Sequence, residues 1–348
     1  MKYITFAPVW FDSLGAKSSC VLVKTPDVSI LIDPGIAAMQ PSFPASRARK
    51  MLWKERGARA IKKACKLAKV VIITHYHYDH FFPRDMQLYR GKILLAKNPN
   101  CYINDSQRKR AVEFYTRISR TYGEKISLFE PPSPGVYPNP MDSLPIARSR
   151  DFGDYNRRRK ELLALGLRWF NSRVKRWNRY RRIRELNLER VKIRWCDGKT
   201  FNFGETSLRF TQPLFHGIEF SRVGWVVAVV IEHKREKLLY SSDLNGIYIE
   251  DYAELIAREN PDALILDGPP TYMGFMLTRT NLQRCIENAC RVLNVAKRLK
   301  LVIYDHHLLR EKRYREKTAR VWETGKRKGI SVVTAAEYLG KTPVVDTL

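Results

Sequence analysis

Three histidines and one aspartate lie within six residues of one another in the stretch VIITHYHYDH, residues 71–80. This stretch holds three of the seven histidines of the chain. Imidazole and carboxylate groups suit zinc and similar divalent ions. A lone histidine is more often structural than a ligand, but burying several imidazoles without partners would be costly. We therefore predict a metal site here, with ligands from His75, His77, Asp79 and His80.

One loop of this kind cannot close two coordination spheres, so further ligands must come from elsewhere in the chain. The remaining candidates follow predicted strands: His216 comes after LRFTQPLF, Asp243 after KLLYSS, and the pair His306 and His307 after KLVIYD. Side chains from distant parts of a sequence converge where strand ends share one edge of a sheet. The last histidine, His233, is expected in a solvated turn, apart from this set.

Short apolar runs alternate with helical patterns along the chain, and these elements must position the candidate ligands. Strands are predicted at 19–24, 28–32, 70–73, 208–210, 225–231, 238–241, 263–266 and 301–304. Helices are predicted at 58–69 and 280–300, the second with a capping-box pattern at Thr280 and Gln283. Strands in two groups with helices between them predict a layered α/β protein.

The chain is strongly basic, with 63 Lys and Arg against 35 Asp and Glu and a net charge of +28. Such an excess attracts polyanions, so we expect an anionic substrate, with RNA or DNA as one class of it. No run reaches the roughly 18–20 apolar residues that cross a bilayer, so membrane insertion is not expected. The amino-terminal sequence has no long apolar core, which favours a cytoplasmic location. The six cysteines form no CxxC pair, which argues against a cysteine-based zinc site.

Residues 148–194 differ from the rest of the chain in composition, with 17 Lys and Arg against 5 Asp and Glu. They contain an apolar seam at helical spacing, formed by Leu163, Leu167, Phe170, Val174 and Trp177. The seam must pack against the parent domain or against a second subunit, so a homo-oligomer formed through this helix is one expectation. We interpret the segment as a basic helical insertion that is approached through a proline-rich linker.

The same segment interleaves arginines with aromatic residues, a mixture suited to phosphate contacts and base stacking. The candidate contacts for a nucleic acid or another anion are Arg173, Arg176, Arg179 and Trp177. A solvated helical face explains this composition equally well. A second basic segment, at 310–328, follows the last candidate ligand and is expected beside the mouth of the site.

The ordered set of motifs resembles the metallo-β-lactamase superfamily. The set comprises DPG at 33–35, THYHYDH at 74–80, and then His216, Asp243 and His306. The sequence looks most like a poorly characterised, largely archaeal branch of predicted metal-dependent hydrolases. The resemblance implies an αββα four-layer sandwich that spans 1–348 as a single domain, with 148–194 inserted in it. It also implies a dinuclear metal site at one edge of the sandwich.

The resemblance assigns the ligands to two ions joined by a bridging carboxylate: His75, His77 and His216 to one ion, Asp79, His80 and His306 to the other, and Asp243 to both. Asp33 would lie beneath the site and hold the 75–80 loop by hydrogen bonds, although an ordinary turn aspartate explains it equally well. The distance from the strand favours His306 over His307 as the last ligand, and an exchange of the two stays open. The expected ions are two divalent metals, zinc first, with manganese or iron as alternatives.

Two bridged ions would place a hydroxide beside the substrate near neutral pH. Asp79 would orient this nucleophile or take its proton, and His307 is assigned the protonation of the leaving group by elimination. We therefore expect a metal-dependent hydrolase, a phosphodiesterase or nuclease. A hydrolase of a small anionic metabolite (a lactone, thioester or phosphoester) is the first alternative. A nucleic-acid-associated protein with a structural metal site is the second.

Residues 262–272 resemble the strand-and-acid motif of the nuclease branch of the superfamily. In this chain, however, Asp267 is followed by Gly-Pro-Pro. The 39 residues from Asp267 to His306 are also too few for the nucleic-acid-clamping domain of that branch. A close kinship to the nucleases is therefore not expected.

Overall fold

The computed structural model describes residues 1–123, 127–274 and 277–348. Within these residues the chain forms eighteen strands: β1 (Thr5–Phe11), β2 (Ser19–Lys24), β3 (Ser29–Ile32), β4 (Val70–Ile73), β5 (Lys92–Ala96), β6 (Phe129–Glu130), β7 (Arg182–Ile183), β8 (Leu186–Leu188), β9 (Val191–Trp195), β10 (Thr200–Phe203), β11 (Thr206–Phe210), β12 (Leu214–Phe215), β13 (Trp225–Val226), β14 (Val229–His233), β15 (Glu236–Tyr240), β16 (Ala263–Asp267), β17 (Leu301–Asp305) and β18 (Ser331–Val333). The same residues form nine α-helices: α1 (Arg47–Leu67), α2 (Asp105–Tyr122), α3 (Pro145–Ser149), α4 (Asn156–Trp177), α5 (Glu250–Glu259), α6 (Arg279–Val295), α7 (Tyr314–Lys317), α8 (Ala319–Lys328) and α9 (Ala335–Tyr338). None of these described helices combines the length and the apolar character needed to cross a bilayer.

Two large sheets carry the fold. The first has the strand order β1-β2-β3-β4-β5-β9-β8, and the second has the order β10-β11-β14-β15-β16-β17-β18. In the first sheet β3, β4, β5 and β9 run parallel, and in the second β15 to β18 run parallel. Parallel strands are buried on both faces, which explains why β4 is the uninterrupted apolar run VVII.

The two large sheets pack face to face, with helices on their outer faces. Val70 and Ile72 of β4 lie in the core between the sheets, together with Leu238 of β15. The alternate residues Val71 and Ile73 lie in the second core, which includes the buried faces of α1 and α2. Side chains of a strand alternate between its two faces, so β4 contributes to both cores. The expected αββα sandwich is confirmed.

The stretch at 148–194 is only partly helical. The apolar seam of α4 packs against the parent domain, with Phe170 and Trp177 buried. The carboxyl-terminal part of the stretch forms β7, β8 and β9, and β9 pairs with β5 in the first sheet. The basic helical insertion is therefore not confirmed with these bounds. The apolar residues of β9 belong to the core, while Lys192 and Arg194 occupy its more exposed alternate positions and hide the strand pattern.

Two smaller predictions are also wrong. The cap of α6 is Thr278, whose hydroxyl accepts a hydrogen bond from the backbone N–H of Asn281, rather than Thr280. His233 does not lie in a solvated turn. It ends β14, is buried, and places its Nδ1 atom 3.2 Å from Oδ2 of Asp27.

Candidate metal centre

The predicted ligands meet at one edge of the sandwich because each of them follows the carboxyl end of a strand. The loop at 75–80 follows β4 of the first sheet, and His216 follows the short strand β12. Asp243 and His306 follow β15 and β17, which both pair in parallel with β16 of the second sheet. The carboxyl ends of parallel strands share one edge. Ligands from both large sheets therefore face one another there.

The first ligand group contains His75, His77, His216 and Asp243, whose ligand atoms all lie within 4.8 Å of one another. Nε2 of His216 lies 3.2 Å from Oδ2 of Asp243 and 3.3 Å from Nδ1 of His77. Nε2 of His75 lies 3.6 Å from the same Asp243 oxygen. Ligands about 2.0–2.1 Å from a zinc ion are separated by roughly 3.3–3.5 Å at the corners of a tetrahedron. These four side chains therefore have the spacing that a single ion requires.

The second ligand group contains Asp79, His80 and His306, again within 4.8 Å of one another. Nε2 of His80 lies 3.3 Å from Nε2 of His306, and the latter lies 4.0 Å from Oδ2 of Asp79. Oδ2 of Asp243 is 3.4 Å from Nε2 of His80 and 3.7 Å from Nε2 of His306. One carboxylate oxygen of Asp243 thus lies between both groups, in the position of a bridging ligand.

Buried polar atoms without partners indicate whether these residues fit metal ions. Nε2 of His75 and Oδ1 of Asp243 are buried and make no hydrogen bond within the described part of the chain. A buried polar atom left unpaired costs roughly 1–3 kcal/mol. An ion in the first group would satisfy the imidazole nitrogen, and imidazoles combined with carboxylates are the donor set of zinc, manganese and iron sites. The residues present therefore fit divalent ions.

Asp33 lies directly beneath the 75–80 loop. Its Oδ2 atom lies 2.8 Å from Nδ1 of His80 and accepts hydrogen bonds from the hydroxyls of Tyr240, at 2.8 Å, and Thr74, at 2.6 Å. The backbone N–H of Thr74 donates to the other carboxylate oxygen at 2.8 Å. A side chain at Gly35 would run into the backbone of the loop, so glycine is required for this packing. Asp33 thus does more than an ordinary turn aspartate, because it orients a candidate ligand.

Two supporting residues were missed by the reasoning from sequence. Asp12 follows β1, and its Oδ1 atom lies 3.1 Å from Nδ1 of His306. Nε of Arg310 donates to the other Asp12 oxygen at 2.5 Å, and one terminal nitrogen of Arg310 lies 3.6 Å from Oδ2 of Asp79. Arg310 ends the single turn His306–Arg310, so its spacing from His306 could have suggested it. Nothing in the local sequence distinguishes Asp12 from a surface aspartate.

The imidazoles of the two groups differ in their electrostatic surroundings. Burial would lower the pKa of His80, but the carboxylates of Asp33 and Asp243 outweigh burial and raise the pKa to about 9. Burial lowers the pKa of His77 to about 3 and that of His75 well below its ordinary value. His75 and His77 are therefore held in the neutral form that binds metal, whereas an ion in the second group would replace a proton on His80.

His307 lies next to His306 and faces the bridging carboxylate. Its Nδ1 atom is 3.1 Å from Oδ1 of Asp243 and 3.9 Å from Oδ2 of Asp267. Burial lowers the pKa of His307, and Arg310 lowers it further. Burial and the nearby Asp243 raise the pKa of Asp267 to about 8. Ligand atoms of Asp243, His306 and His307 also lie within 4.8 Å of one another, so the choice of His306 over His307 as the ligand stays a prediction.

The residues predicted to contact nucleic acid are mostly committed to packing within the domain. Trp177 is only 3% exposed, and its indole N–H donates to a backbone carbonyl at 2.9 Å, so it cannot stack on a base. Arg173 is buried and paired with Asp105. Arg176 pairs with the same aspartate at 2.7 Å, with its side chain half exposed, and Arg179 is exposed. The prediction for Trp177 and Arg173 is therefore wrong, because the apolar seam of α4 faces its own domain.

The fold and the site together define a class of protein. Two sheets packed between helices, with histidines and aspartates grouped around one carboxylate at the strand ends, agree with the resemblance drawn from the motifs. A sequence profile of the metallo-beta-lactamase superfamily matches residues 15–82, which contain both the DPG and the THYHYDH motifs. The chain is a metallo-β-lactamase-superfamily protein, of the class of metal-dependent hydrolases.

Relatives that match along the whole chain narrow this class. The chain is 31% identical over 351 residues to a UPF0282 protein of Methanopyrus kandleri, covering 96% of this chain and 93% of the relative. It is 31% identical over 341 residues to a UPF0282 protein of Metallosphaera sedula, covering 96% and 87%. The chain belongs to the UPF0282 family. Among solved structures, the metallo-beta-lactamase fold protein YhfI from Bacillus subtilis covers 95% of both chains at 12% identity and a TM-score of 0.43, a likeness too slight to bear on function.

Proposed function

We propose that this chain is a dinuclear metal-dependent hydrolase of anionic substrates. The observation that supports it best is the position of Asp243, whose Oδ2 atom lies 3.2 to 3.7 Å from four imidazole nitrogens, two from each ligand group. A structural zinc site closes with four ligands, whereas this set offers seven residues, one of which is the shared carboxylate of Asp243. Zinc is the ion we propose first, with manganese and iron as alternatives.

When bound, two such ions would lower the pKa of a water between them toward neutrality and offset negative charge on the attacked centre. Burial opposes the ionisation of Asp79, but His80 and His306 hold its pKa below the ordinary range. Its carboxylate is therefore an anion at neutral pH, and we assign it the orientation of the attacking water and acceptance of its proton. Arg310, 3.6 Å from Asp79, holds that carboxylate in place.

We assign His307 the transfer of a proton to the leaving group. It is the imidazole that neither ligand group requires, and it lies 3.1 Å from Asp243. In the hydrolysis, the water oxygen bonds to the phosphorus or the carbonyl carbon. The bond from that centre to the leaving oxygen or sulfur breaks, and the leaving atom takes up the proton that the water gave to Asp79. Because its lowered pKa keeps His307 neutral, we assign it the relay of this proton rather than the supply of its own.

A phosphodiester is the substrate we propose first, because the net charge of +28 favours a phosphate-bearing ligand. RNA and DNA are included in this class. Arg176, in the last turn of α4, and Arg179, just after the helix, are exposed for such a contact. If they neutralise phosphates, binding should weaken with salt at a log–log slope near −0.7 to −0.9 per contact, and charge reversal at both should reduce that slope by roughly two contacts. Absence of binding to RNA and DNA at low salt would leave a small-molecule substrate.

A small anionic ester, thioester, lactone or phosphoester is the second candidate. A specific observation favours it: a cavity of about 450 Å³ beside His216, within the range of roughly 300–1,000 Å³ that small-molecule sites occupy. A cleft of this size accommodates a compact group. An extended nucleic-acid strand would need a longer groove instead.

Metal analysis combined with a substrate panel tests the hydrolase. The purified protein should bind two zinc ions per chain and hydrolyse at least one of bis(p-nitrophenyl) phosphate, RNA, DNA, p-nitrophenyl esters, thioesters and lactones. Asp243→Ala should lower the metal content and abolish that hydrolysis. Asp142→Ala, which removes an exposed carboxylate whose side chain is 63% accessible, is the matched control. Full metal content with unchanged turnover in the Asp243→Ala protein would disprove the dinuclear centre.

A further inference from the structure

A cleft with largely apolar walls opens beside the first ligand group. It has a volume of about 450 Å³ and lies between α4 and the loop that follows β12. Its walls include Leu162, Leu165, Ile218, Phe220, Val223 and Tyr248. His216 and Asn245 also line it, and the side-chain amide of Asn245 lies 2.8 Å from Nδ1 of His216. The cleft therefore adjoins the metal centre at His216, whose Nδ1 atom faces Asn245 in the cleft and whose Nε2 atom faces Asp243.

Four apolar side chains in this cleft are accessible to water. Leu162 and Leu165 of α4 are 39% and 45% exposed, and Ile218 and Val223 of the facing loop are 40% and 41% exposed. Single exposed apolar residues are common on protein surfaces and need no explanation. Four of them gathered in one concave surface beside a reactive centre are typical of a binding site for an apolar group.

The two walls of the cleft are fixed to each other. Arg159 of α4 pairs with Glu219 of the loop at 3.1 Å, and Glu219 also pairs with Arg284 of α6 at 2.7 Å. A Cβ atom at Gly166 would lie 2.5 Å from Cβ of Phe220, so α4 touches the loop directly at this glycine. The cleft is thus a formed feature of the fold. Helix α4 contributes Leu162, Leu165 and Gly166 to its wall.

We propose that this cleft binds an aliphatic group of the substrate, next to the bond that is hydrolysed at the metal centre. The proposal rests on the proposed hydrolase for the reaction and adds the substrate class, an amphiphilic ester with an anionic or polar reacting end. Branched aliphatic side chains form much of the wall, which suits a hydrocarbon chain. A nucleobase would instead call for exposed aromatic stacking surfaces, whereas the aromatic wall residues Phe220 and Tyr248 are only 5% and 6% exposed.

The hydrocarbon group can belong to a carboxylic ester or to a phosphodiester. Two substrate series distinguish these two sources. One series is p-nitrophenyl acyl esters, and the other is alkyl p-nitrophenyl phosphates, each from two to eight carbons. With the zinc-loaded full chain, kcat/KM should rise roughly two- to fourfold per methylene in the series that matches the substrate, until the cleft is filled. Binding of methylphosphonate and octylphosphonate, measured by calorimetry, gives a second readout that needs no turnover.

The variants Leu165→Gln and Ile218→Gln test the cleft itself. Both residues are exposed, so the substitutions should leave the fold intact, which circular dichroism checks. Each variant should reduce the preference for octylphosphonate over methylphosphonate by roughly tenfold. The matched control is Leu67→Gln, at the end of α1, where the side chain is 54% exposed outside the cleft. This control should keep the full preference.

Three results would overturn the proposal: equal binding of the two phosphonates by the wild-type protein, an unchanged preference in both cleft variants, or tighter binding of adenosine 5′-monophosphate than of octylphosphonate with the same variant dependence. The last result would assign the cleft to a nucleobase. Failure of the hydrolase has a different outcome. In that case octylphosphonate would bind with the expected dependence on Leu165 and Ile218, but no member of either series or of the wider panel would be hydrolysed.

Discussion

The two ligand groups are built from the same residue types but are supported by different neighbours. In the second group, carboxylates stand behind the imidazoles. Nδ1 of His80 lies 2.8 Å from Asp33, and Nδ1 of His306 lies 3.1 Å from Asp12. Each imidazole can therefore donate its distal N–H to an anion while the other nitrogen faces the ion.

Neutral groups stand behind the imidazoles of the first group. The amide of Asn245 lies 2.8 Å from Nδ1 of His216, and the hydroxyl of Thr74 lies 3.3 Å from Nδ1 of His75. A carboxylate behind a ligating imidazole makes it a stronger donor and adds negative charge, and such outer partners are worth roughly 10–100-fold in metal affinity. The second group should therefore hold its ion more tightly. The more exchangeable ion should lie at the first group, where the apolar cleft opens.

The largest effect should come from removing a ligand of the second group. His306→Ala should lose one ion and reduce turnover by roughly a thousandfold, because a catalytic metal supplies several kcal/mol. His307→Ala should keep both ions and still lose turnover. Elemental analysis and steady-state rates measure both quantities. The reverse pattern would exchange the roles of His306 and His307.

The carboxylates behind the second group are the next target. Asp12→Asn and Asp33→Asn should each weaken binding of the ion in the second group by roughly 10–100-fold, because His306 or His80 loses its anionic partner. Asp12→Asn should leave the first ion unchanged, whereas Asp33→Asn should also affect it to a smaller extent, because Asp33 holds the loop that carries His75. Titration with a competing chelator measures the affinities. The matched control is Asp27→Asn, which breaks a 3.2 Å carboxylate–imidazole pair at His233, among residues outside the metal centre. Unchanged affinities in the Asp12 and Asp33 variants would contradict the comparison.

Stepwise removal of metal tests the same difference without mutation. A chelator should first give a species with one ion per chain, since the affinities should differ by roughly tenfold or more. This species should be inactive, because both ions are needed. In the His216→Ala protein the release of the weaker ion should be absent from the titration. In the His306→Ala protein the release of the tighter ion should be absent. Loss of both ions from the wild-type protein in a single step would show that the groups are equivalent.

The smallest expected effect is a change in metal affinity at the first group when the residue behind His216 is replaced. Asn245→Asp places a carboxylate behind His216 and should strengthen the weaker ion by roughly tenfold or less. Asn245→Ala should weaken it by a similar factor. Both values come from the chelator titration. A change in the affinity of the tighter ion instead would show that Asn245 supports the second group and not the first.

Much of the metal centre could be predicted from sequence because its ligands occupy recognisable local positions. The loop at 75–80 is a compact motif, and Asp243 and His306 each follow an apolar strand. The ends of such strands converge by topology alone, so their order along the chain was informative. The choice of His306 over His307 stays a prediction, because both histidines lie within ligand distance of Asp243.

The supporting residues could not be predicted because they depend on contacts between distant segments. Asp12 and His306 are separated by 294 positions in the chain, and the packing of the turn Asp12–Leu14 against the turn His306–Arg310 brings them together. Strand β9 was overlooked because lysine and arginine occupy its exposed positions. Trp177 was given a binding role although it belongs to the apolar seam, and sequence alone does not show what covers such a seam.

The ligands come from both large sheets, and this has a consequence for folding. His75 and His80 extend from the first sheet, while Asp243 and His306 extend from the second. Bound ions would therefore cross-link the two sheets at one edge of the sandwich. Because the unfolded chain lacks this arrangement, the free energy of unfolding would rise with the free metal concentration, by about 4.1 kcal/mol at 1,000 times Kd. The supply of metal in the surroundings would then govern how long the folded chain persists, as well as whether it can react.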